Sequence, residues 1–208
     1  MDNNQQQLLA GLQALQLTAD DTQIQKLLDF IKLIAKWNKT YNLTAIRQVD
    51  EMVSLHLLDS LSTMPHLVGD RIVDIGTGAG LPGIPLAICL PDRHFTLLDS
   101  NAKKTRFVQQ AVLELKLNNV SIRHQRVEDF IPEQPFTTVI TRAFTNLPDI
   151  ITLTAHLLAA DGILLAMKGQ TPEAELAQIN AQASIVPITL PGIAAQRCLV
   201  KIASPEAR

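Results

Sequence analysis

The stretch from Arg71 to Pro85 constrains this chain more than any other. It reads Arg-Ile-Val-Asp-Ile, places Gly76, Gly78, Gly80 and Gly83 within eight positions, and passes into an apolar segment. An apolar, β-branched run into a glycine loop and onward into helix-compatible residues is a strand, a tight turn and a helix N-terminus. In such a unit backbone N–H groups approach a nucleotide-like ligand. Glycine is needed there because a Cβ would block the positive-φ turns and hold the ligand off the backbone. The loop is therefore read as the binding site of a small cofactor.

The loop fits two frames. Gly78-Ala79-Gly80-Leu81-Pro82-Gly83 satisfies the dinucleotide fingerprint G-x-G-x-x-G, with Asp99 about 20 residues on as a ribose-binding acid. The second frame is Asp74-x-Gly76-x-Gly78-x-Gly80 followed by the same Asp99 at the end of a second strand, the pattern of an S-adenosylmethionine (SAM) site. Charge favours the second frame, because a carboxylate at the loop entrance repels a pyrophosphate, whereas SAM carries an ammonium and a sulfonium and no phosphate. An NAD-linked oxidoreductase stays open as the rival and needs a proton donor such as His56. A SAM-binding sensor without catalysis is the other rival.

With 208 residues and 47% hydrophobic content the chain buries one substantial core and a small accessory subdomain. The net charge of −2 gives no whole-chain signature of a nucleic-acid binder, so a polyanionic partner has to be met by a local patch. The opening Met1–Gln7 lacks signal-peptide character, and prolines interrupt the apolar run around Ile84–Leu90 short of a membrane span. A cytoplasmic protein without membrane contact is expected. Cys89 and Cys198 stand apart in apolar company, which argues against a disulfide or a metal site.

Helical spacing over Leu8–Leu17 and again after Asp21 predicts two helices. The second carries Ile24, Leu27, Leu28, Ile31, Ile34 and Ala35 on one face. Trp37 and Tyr41, the only residues of their kinds, either dock this prefix onto the main domain or, with Asn38 and Asn42, face a substrate. A third helix is predicted from an Asp50 N-cap to Leu61, with His56 and Asp59 on one face as a structural polar pair or a substrate contact. Beyond the glycine loop, strands at His94–Leu98, Val120–Arg123, Thr137–Thr141 and Gly162–Met167 alternate with helices at Lys103–Leu115 and Leu147–Leu158. A short helix and a terminal strand pair follow. This predicts an α/β chain with a doubly wound parallel sheet, divided into a helical extension over residues 1–66 and a core over residues 67–208.

In such a sheet ligands sit outside the carboxyl ends of the strands. Asp99 matches a ribose diol with two acceptors, and Val127-Glu128 fall where an adenine would lie. Arg142 follows an apolar strand directly and should meet a carboxylate or phosphate. Phe144 is read as packing or as a stacking platform, and Lys168 as a surface or substrate residue.

Several blocks together resemble the RsmG (GidB) family: Trp37–Thr44, His56–Ser60, Asp74–Pro85, Thr96–Ser100, Arg142–Phe144 and Lys168-Gly169. The resemblance runs from about Phe30 to the end, and it implies a class I SAM-dependent methyltransferase with a Rossmann-like fold. It further implies methyl transfer to N7 of one guanosine in 16S ribosomal RNA, near the decoding centre, within the small ribosomal subunit or an assembly intermediate. The implied cofactor site comprises Gly76, Leu81, Val127, Glu128 and Arg142, with Asp99 on the ribose, and the loop frame adds Asp74, Gly78 and Gly80. The substrate side is expected to involve Asn38, Asn42, Arg47, His56, Arg126, Phe144 and Lys168 in a monomer. The chain departs from the family pattern in having Thr141 where Ser is expected and less polar neighbours around Arg197, which leaves the terminal strand without an assigned role.

Guanine N7 carries an unshared pair, so its methylation requires no proton removal. No general base is evident, and Arg142 and Lys168 are expected to position rather than to react. The bidentate Arg contact to guanine O6 and N7 would cap the nucleophile, so selectivity must come from O6 or from the Watson–Crick edge of an extruded base. Lys36, Lys39, Arg47, Lys103, Lys104, Arg123, Arg126 and Arg142 form the expected RNA-facing set.

Overall fold

The computed structural model describes residues 2–204. Five parallel strands form the body of one sheet: β1 (Arg71–Ile75), β2 (His94–Asp99), β3 (Val120–His124), β4 (Phe136–Arg142) and β5 (Leu158–Lys168). Two antiparallel strands, β6 (Ala183–Ile188) and β7 (Arg197–Ala203), extend it beyond β5, giving the order β3-β2-β1-β4-β5-β7-β6.

The central strands are apolar almost throughout because both faces are covered. Alternate residues enter different cores: Ile72, Leu97, Ile140 and Leu165 on one face, Val73, Leu98, Val139 and Leu164 on the other. The chain winds outward from β1 in one direction and from β4 in the other, so the switch point lies between their carboxyl ends.

Helix α1 (Asn3–Ala14) and helix α2 (Asp21–Tyr41) cover the first face, their Leu8, Leu12, Leu27, Phe30 and Ile34 sharing one core with the sheet. Helix α2 begins on a capping box, in which Asp20 Oδ1 accepts from the Gln23 amide at 2.8 Å and Gln23 Oε1 accepts from the Asp20 amide at 2.9 Å. The third helix differs from expectation. It starts at Val49 rather than behind an Asp50 cap and runs as α3 (Val49–Met52), a π-helical stretch (Val53–Leu58) and a last α turn, α4 (Asp59–Leu61).

The sheet's own helices are α5 (Gly83–Cys89), α6 (Ala102–Glu114), α7 (Leu147–Thr154) and α8 (Glu173–Leu176). Helix α7 is a turn shorter than its apolar pattern suggests. The chain passes through a 3₁₀ turn at Ala155–Leu157, and Leu158 already pairs with Phe136 of β4, so β5 takes residues that propensity gives to the helix.

Candidate cofactor crevice and acceptor cavity

The glycine loop is anchored from below. The amides of Gly76 and Thr77 donate to the Leu98 carbonyl at 2.9 and 3.1 Å, fixing the loop to the end of β2. Asp74 is fully buried. Its Oδ2 accepts from the Thr77 hydroxyl at 2.6 Å and from the Gly83 amide at 2.9 Å, while Oδ1 has no partner among the described residues. Burial pushes its carboxyl up from 3.8 to about 6 against those two bonds.

This corrects the expectation that Asp74 stands at the loop entrance and touches the cofactor. The carboxylate lies behind the loop and caps the first turn of α5. At the start of α5 the Gly83 amide is taken by this internal acid, Ile84 donates to the Gly80 carbonyl at 2.8 Å and Pro85 has no N–H, so the helix end presents no free amide to a phosphate.

Two further loop residues face inward. Leu81 is 3% exposed and packs in the core, and a Cβ at Gly80, whose φ is +78°, would press on Ile84, so neither presents a side chain to a ligand. Gly76 borders the open side, and Gly78 is half-buried beside it. At Gly78 an added Cβ would meet nothing nearer than the Gly76 carbonyl at 3.8 Å, whereas at Gly76 it would strike the Phe144 ring at 2.7 Å.

Outside the ends of β1, β2 and β4 lies a crevice of about 300 Å³ that brings together Gly76, Asp99, Lys104, Arg126, Val127, Glu128 and Phe144. Asp99 Oδ2 accepts from the Gly78 amide at 2.9 Å and Oδ1 from the Asn101 amide at 2.8 Å. A carboxylate oxygen has two acceptor sites, so each retains one for a diol. Val127 is buried in the core beneath the crevice, and Glu128 is exposed at its rim. Arg126, assigned to the substrate on sequence grounds, stands on this side instead.

A second cavity of about 510 Å³ opens between the helical extension, the end of β5 and the start of β7. Ala143 lines both spaces; its left-handed φ of 51° lets Arg142 line the second cavity while Phe144 lines the first. Arg142, read from the sequence as meeting a carboxylate or phosphate and placed on the cofactor by the family resemblance, lines this cavity and meets a carboxylate. Its Nη1 donates to Asp59 Oδ2 at 3.1 Å and to the Leu55 carbonyl at 3.2 Å. Arg197 Nε lies 3.5 Å from Asp59 Oδ1, so one carboxylate bridges two guanidiniums. Lys168 Nζ donates to Glu175 Oε2 at 2.9 Å and to the Thr145 carbonyl at 3.0 Å. Burial alone would raise the Glu175 carboxyl; the bonds from Lys168 and the Leu147 amide outweigh it and hold it below the usual range.

His56, 3% exposed, lies between Thr44 and Leu55. Nδ1 stands 3.0 Å from the Leu55 carbonyl, which only accepts, so Nδ1 bears the proton and Nε2 accepts from the Thr44 hydroxyl at 3.0 Å. Burial, and then the charge of Arg142, pull its pKa down to about 4, so the ring is neutral.

Asn38 is also a correction. It is 2% exposed and makes its bonds internally: Oδ1 accepts from the Thr44 amide, and Nδ2 donates to the carbonyls of Thr44 and Ile46. It shapes the turn that carries Thr44 and offers nothing to a base. Asn42 takes the left-handed C-cap of α2 and accepts from Arg47 Nη2 at 3.2 Å; both are exposed and border neither cavity. Trp37 packs on Tyr41 and Phe107 at centroid distances of 5.1 and 5.7 Å, which is the docking reading of that pair. Thr44 and Arg197 were not assigned from the sequence. The signal for Arg197 was its place at the start of β7, which had no role attached. Lys36, Lys39, Lys103, Arg123 and Arg126 are exposed.

The sequence profile of the family described as GidB, rRNA small subunit methyltransferase G, matches residues 23–196. The ribosomal RNA small subunit methyltransferase G of Marinobacter nauticus is 51% identical over 203 residues, covering 96% of this chain and 95% of that protein. Among solved structures, a SAM-dependent methyltransferase from Aquifex aeolicus superposes with a TM-score of 0.58 at 13% identity over 74% of this chain and 93% of its own. A magnesium protoporphyrin IX methyltransferase from Synechocystis with bound SAM gives 0.58 at 18% identity over 90% and 99%. At such identities the likeness is one of fold, that of the class I methyltransferases.

Proposed function

The chain belongs to the GidB family, rRNA small subunit methyltransferase G, and from that premise we propose that it transfers a methyl group from SAM to N7 of one guanosine in 16S ribosomal RNA. The observation that carries this reading is the meeting of a crevice ending on Asp99 with a basic-walled cavity at the single residue Ala143.

The residues of the crevice fit SAM. Asp99 keeps two acceptor sites for the ribose, Gly76 and Gly78 permit close approach of the backbone, and Val127-Glu128 border the place of the base. Bound SAM supplies an electrophilic methyl, and guanine N7 supplies the electron pair, so no proton leaves N7 during transfer. The chain's residues agree with that economy. His56 is held neutral, its one free nitrogen lone pair taken by Thr44, and each oxygen of Asp59 is paired with a guanidinium. What the protein contributes is alignment and exclusion of water, and orientation alone is worth roughly 7–11 kcal/mol.

On this reading Arg142 and Lys168 position the acceptor, with donors turned to O6 or phosphate and away from N7. Residues 1–66 act as the helical extension that contributes Thr44, His56 and Asp59 to the cavity, and residues 67–208 as the methyltransferase domain. A chain of net charge −2 is suited to a structured ribonucleoprotein, the small subunit or its assembly intermediate, more than to bare RNA, and a monomer suffices. Titration calorimetry tests the cofactor: SAM should bind and NADH should not, and the opposite result would reinstate the dinucleotide frame.

A further inference from the structure

Three elements distant in sequence bring charged groups to one wall of the acceptor cavity: Asp59 from α4, Arg142 from the end of β4 and Arg197 from the start of β7. The carboxylate is the most buried of the three, with 8% of its side-chain surface exposed against 22% and 27% for the arginines. Arg142 spends Nη1 on Asp59 and the Leu55 carbonyl, and its Nε and Nη2 make no hydrogen bond within the described residues. Arg197 uses Nε on Asp59 and Nη1 on the Gln196 carbonyl, which leaves its Nη2. The trio carries one net positive charge. The neighbouring Lys168 is matched by Glu175 and His56 is neutral, so this charge is the uncompensated one on the wall.

A carboxylate facing an RNA-binding cavity repels the ligand unless it does something for the groups around it. We propose that Asp59 is a positioning residue: by holding the guanidiniums of Arg142 and Arg197 on its two oxygens, it aims their remaining donors together at one phosphodiester of the bound RNA. Two planar donors fixed on a common acceptor give a phosphate a preformed fork, and the single surplus charge matches a monoanion. This rests on the methyltransferase reading above.

The test exploits a sign. The Asp59→Asn variant gains a unit of positive charge, so a carboxylate that only added to the field would, once removed, tighten RNA binding. Positioning predicts the reverse. Methyl incorporation from labelled SAM into small-subunit ribosomal RNA, taken from cells lacking the protein, should show KM for RNA raised about tenfold or more, while the Kd for SAM stays within about twofold. Arg197→Gln should raise KM similarly, and the double variant should be no worse than either single change, because the three groups act as a unit. A lowered or unchanged KM in Asp59→Asn, or a lowered melting temperature with unchanged KM below it, overturns the proposal. If Asp59→Asn does not fold, Arg197→Gln decides: an unchanged KM refutes it. Wild-type protein that fails to methylate the RNA would refute the functional reading instead.

Discussion

Asp74 and His56 are both buried and ionisable, and their pKa values move toward each other. Asp74 rises from 3.8 to about 6 and His56 falls from 6.5 to about 4. Their effects on stability have opposite signs. For Asp74 the folded state binds the extra proton, so its contribution is fully present below pH 3.8 and is lost as pH rises through about 6. For His56 the unfolded state binds it, so its contribution is present above pH 6.5 and is lost as pH falls through about 4. Each shift corresponds to roughly 3 kcal/mol, and between pH 4 and 6 they offset. Urea denaturation as a function of pH should separate them: relative to wild type, Asp74→Asn should become more stable as pH rises through this window, and His56→Gln less stable. Parallel curves for the three proteins would contradict the assignment. A neutral His56 also predicts turnover nearly flat from about pH 6.5 to 9, because no side chain needs to change its protonation state. A bell-shaped profile would contradict a base-free transfer. At this scale the sequence was informative about identity and not about depth. Arg142 could be read as a charge-bearing residue because it follows an apolar strand, while nothing in the order of residues distinguishes an acid beside a glycine loop from one sealed behind it.

The glycine loop could be read almost completely as an element, since four glycines between an apolar strand and an apolar helix have few other uses. Its internal division of labour could not. Gly76 must lie under Phe144, Gly78 must turn its amide to Asp99, and Gly83 must let α5 approach Leu97 and Asp74, requirements set largely by neighbours elsewhere in the chain. Gly76→Ala therefore meets both a positive φ of 67° and an aromatic ring, and is expected to lose about 2 kcal/mol of stability and most SAM affinity. In Gly78→Ala the added methyl points into open space, so the cost should be limited to the backbone, about 1 kcal/mol. Thermal melts with and without SAM check both, and equal behaviour of the two variants would be a contradiction. The end of α7 and the π-helical turn escaped the sequence reading for a common reason. Strand pairing at Leu158 overrides local helix propensity, and the π-helical stretch lies where five of six residues are buried, so in both places tertiary surroundings outweigh the local pattern.

The whole molecule is held by two cores on the two faces of one sheet, and the helical extension is part of the first of them. Leu8, Leu27, Phe30 and Leu58 share it with Ile72, Leu97 and Phe107. Residues 1–66 and 67–208 should therefore unfold in a single transition, and Leu27→Ala, at a fully buried position, should lower the stability of the whole by about 2–5 kcal/mol. Calorimetry resolving two transitions would contradict this. Parallel-sheet topology followed from the alternation of strand and helix patterns, but the convergence of Thr44, Asp59 and Arg197 on one cavity did not, because that depends on how the extension and the last strand close over the ends of β4 and β5. The most direct test of the central claim is to incubate purified protein with labelled SAM and small-subunit ribosomal RNA, then identify the methylated nucleoside by mass spectrometry. The expected product is 7-methylguanosine at one site, formed only with SAM; methyl on an exocyclic amine or a ribose hydroxyl, either of which demands loss of a proton, would contradict it.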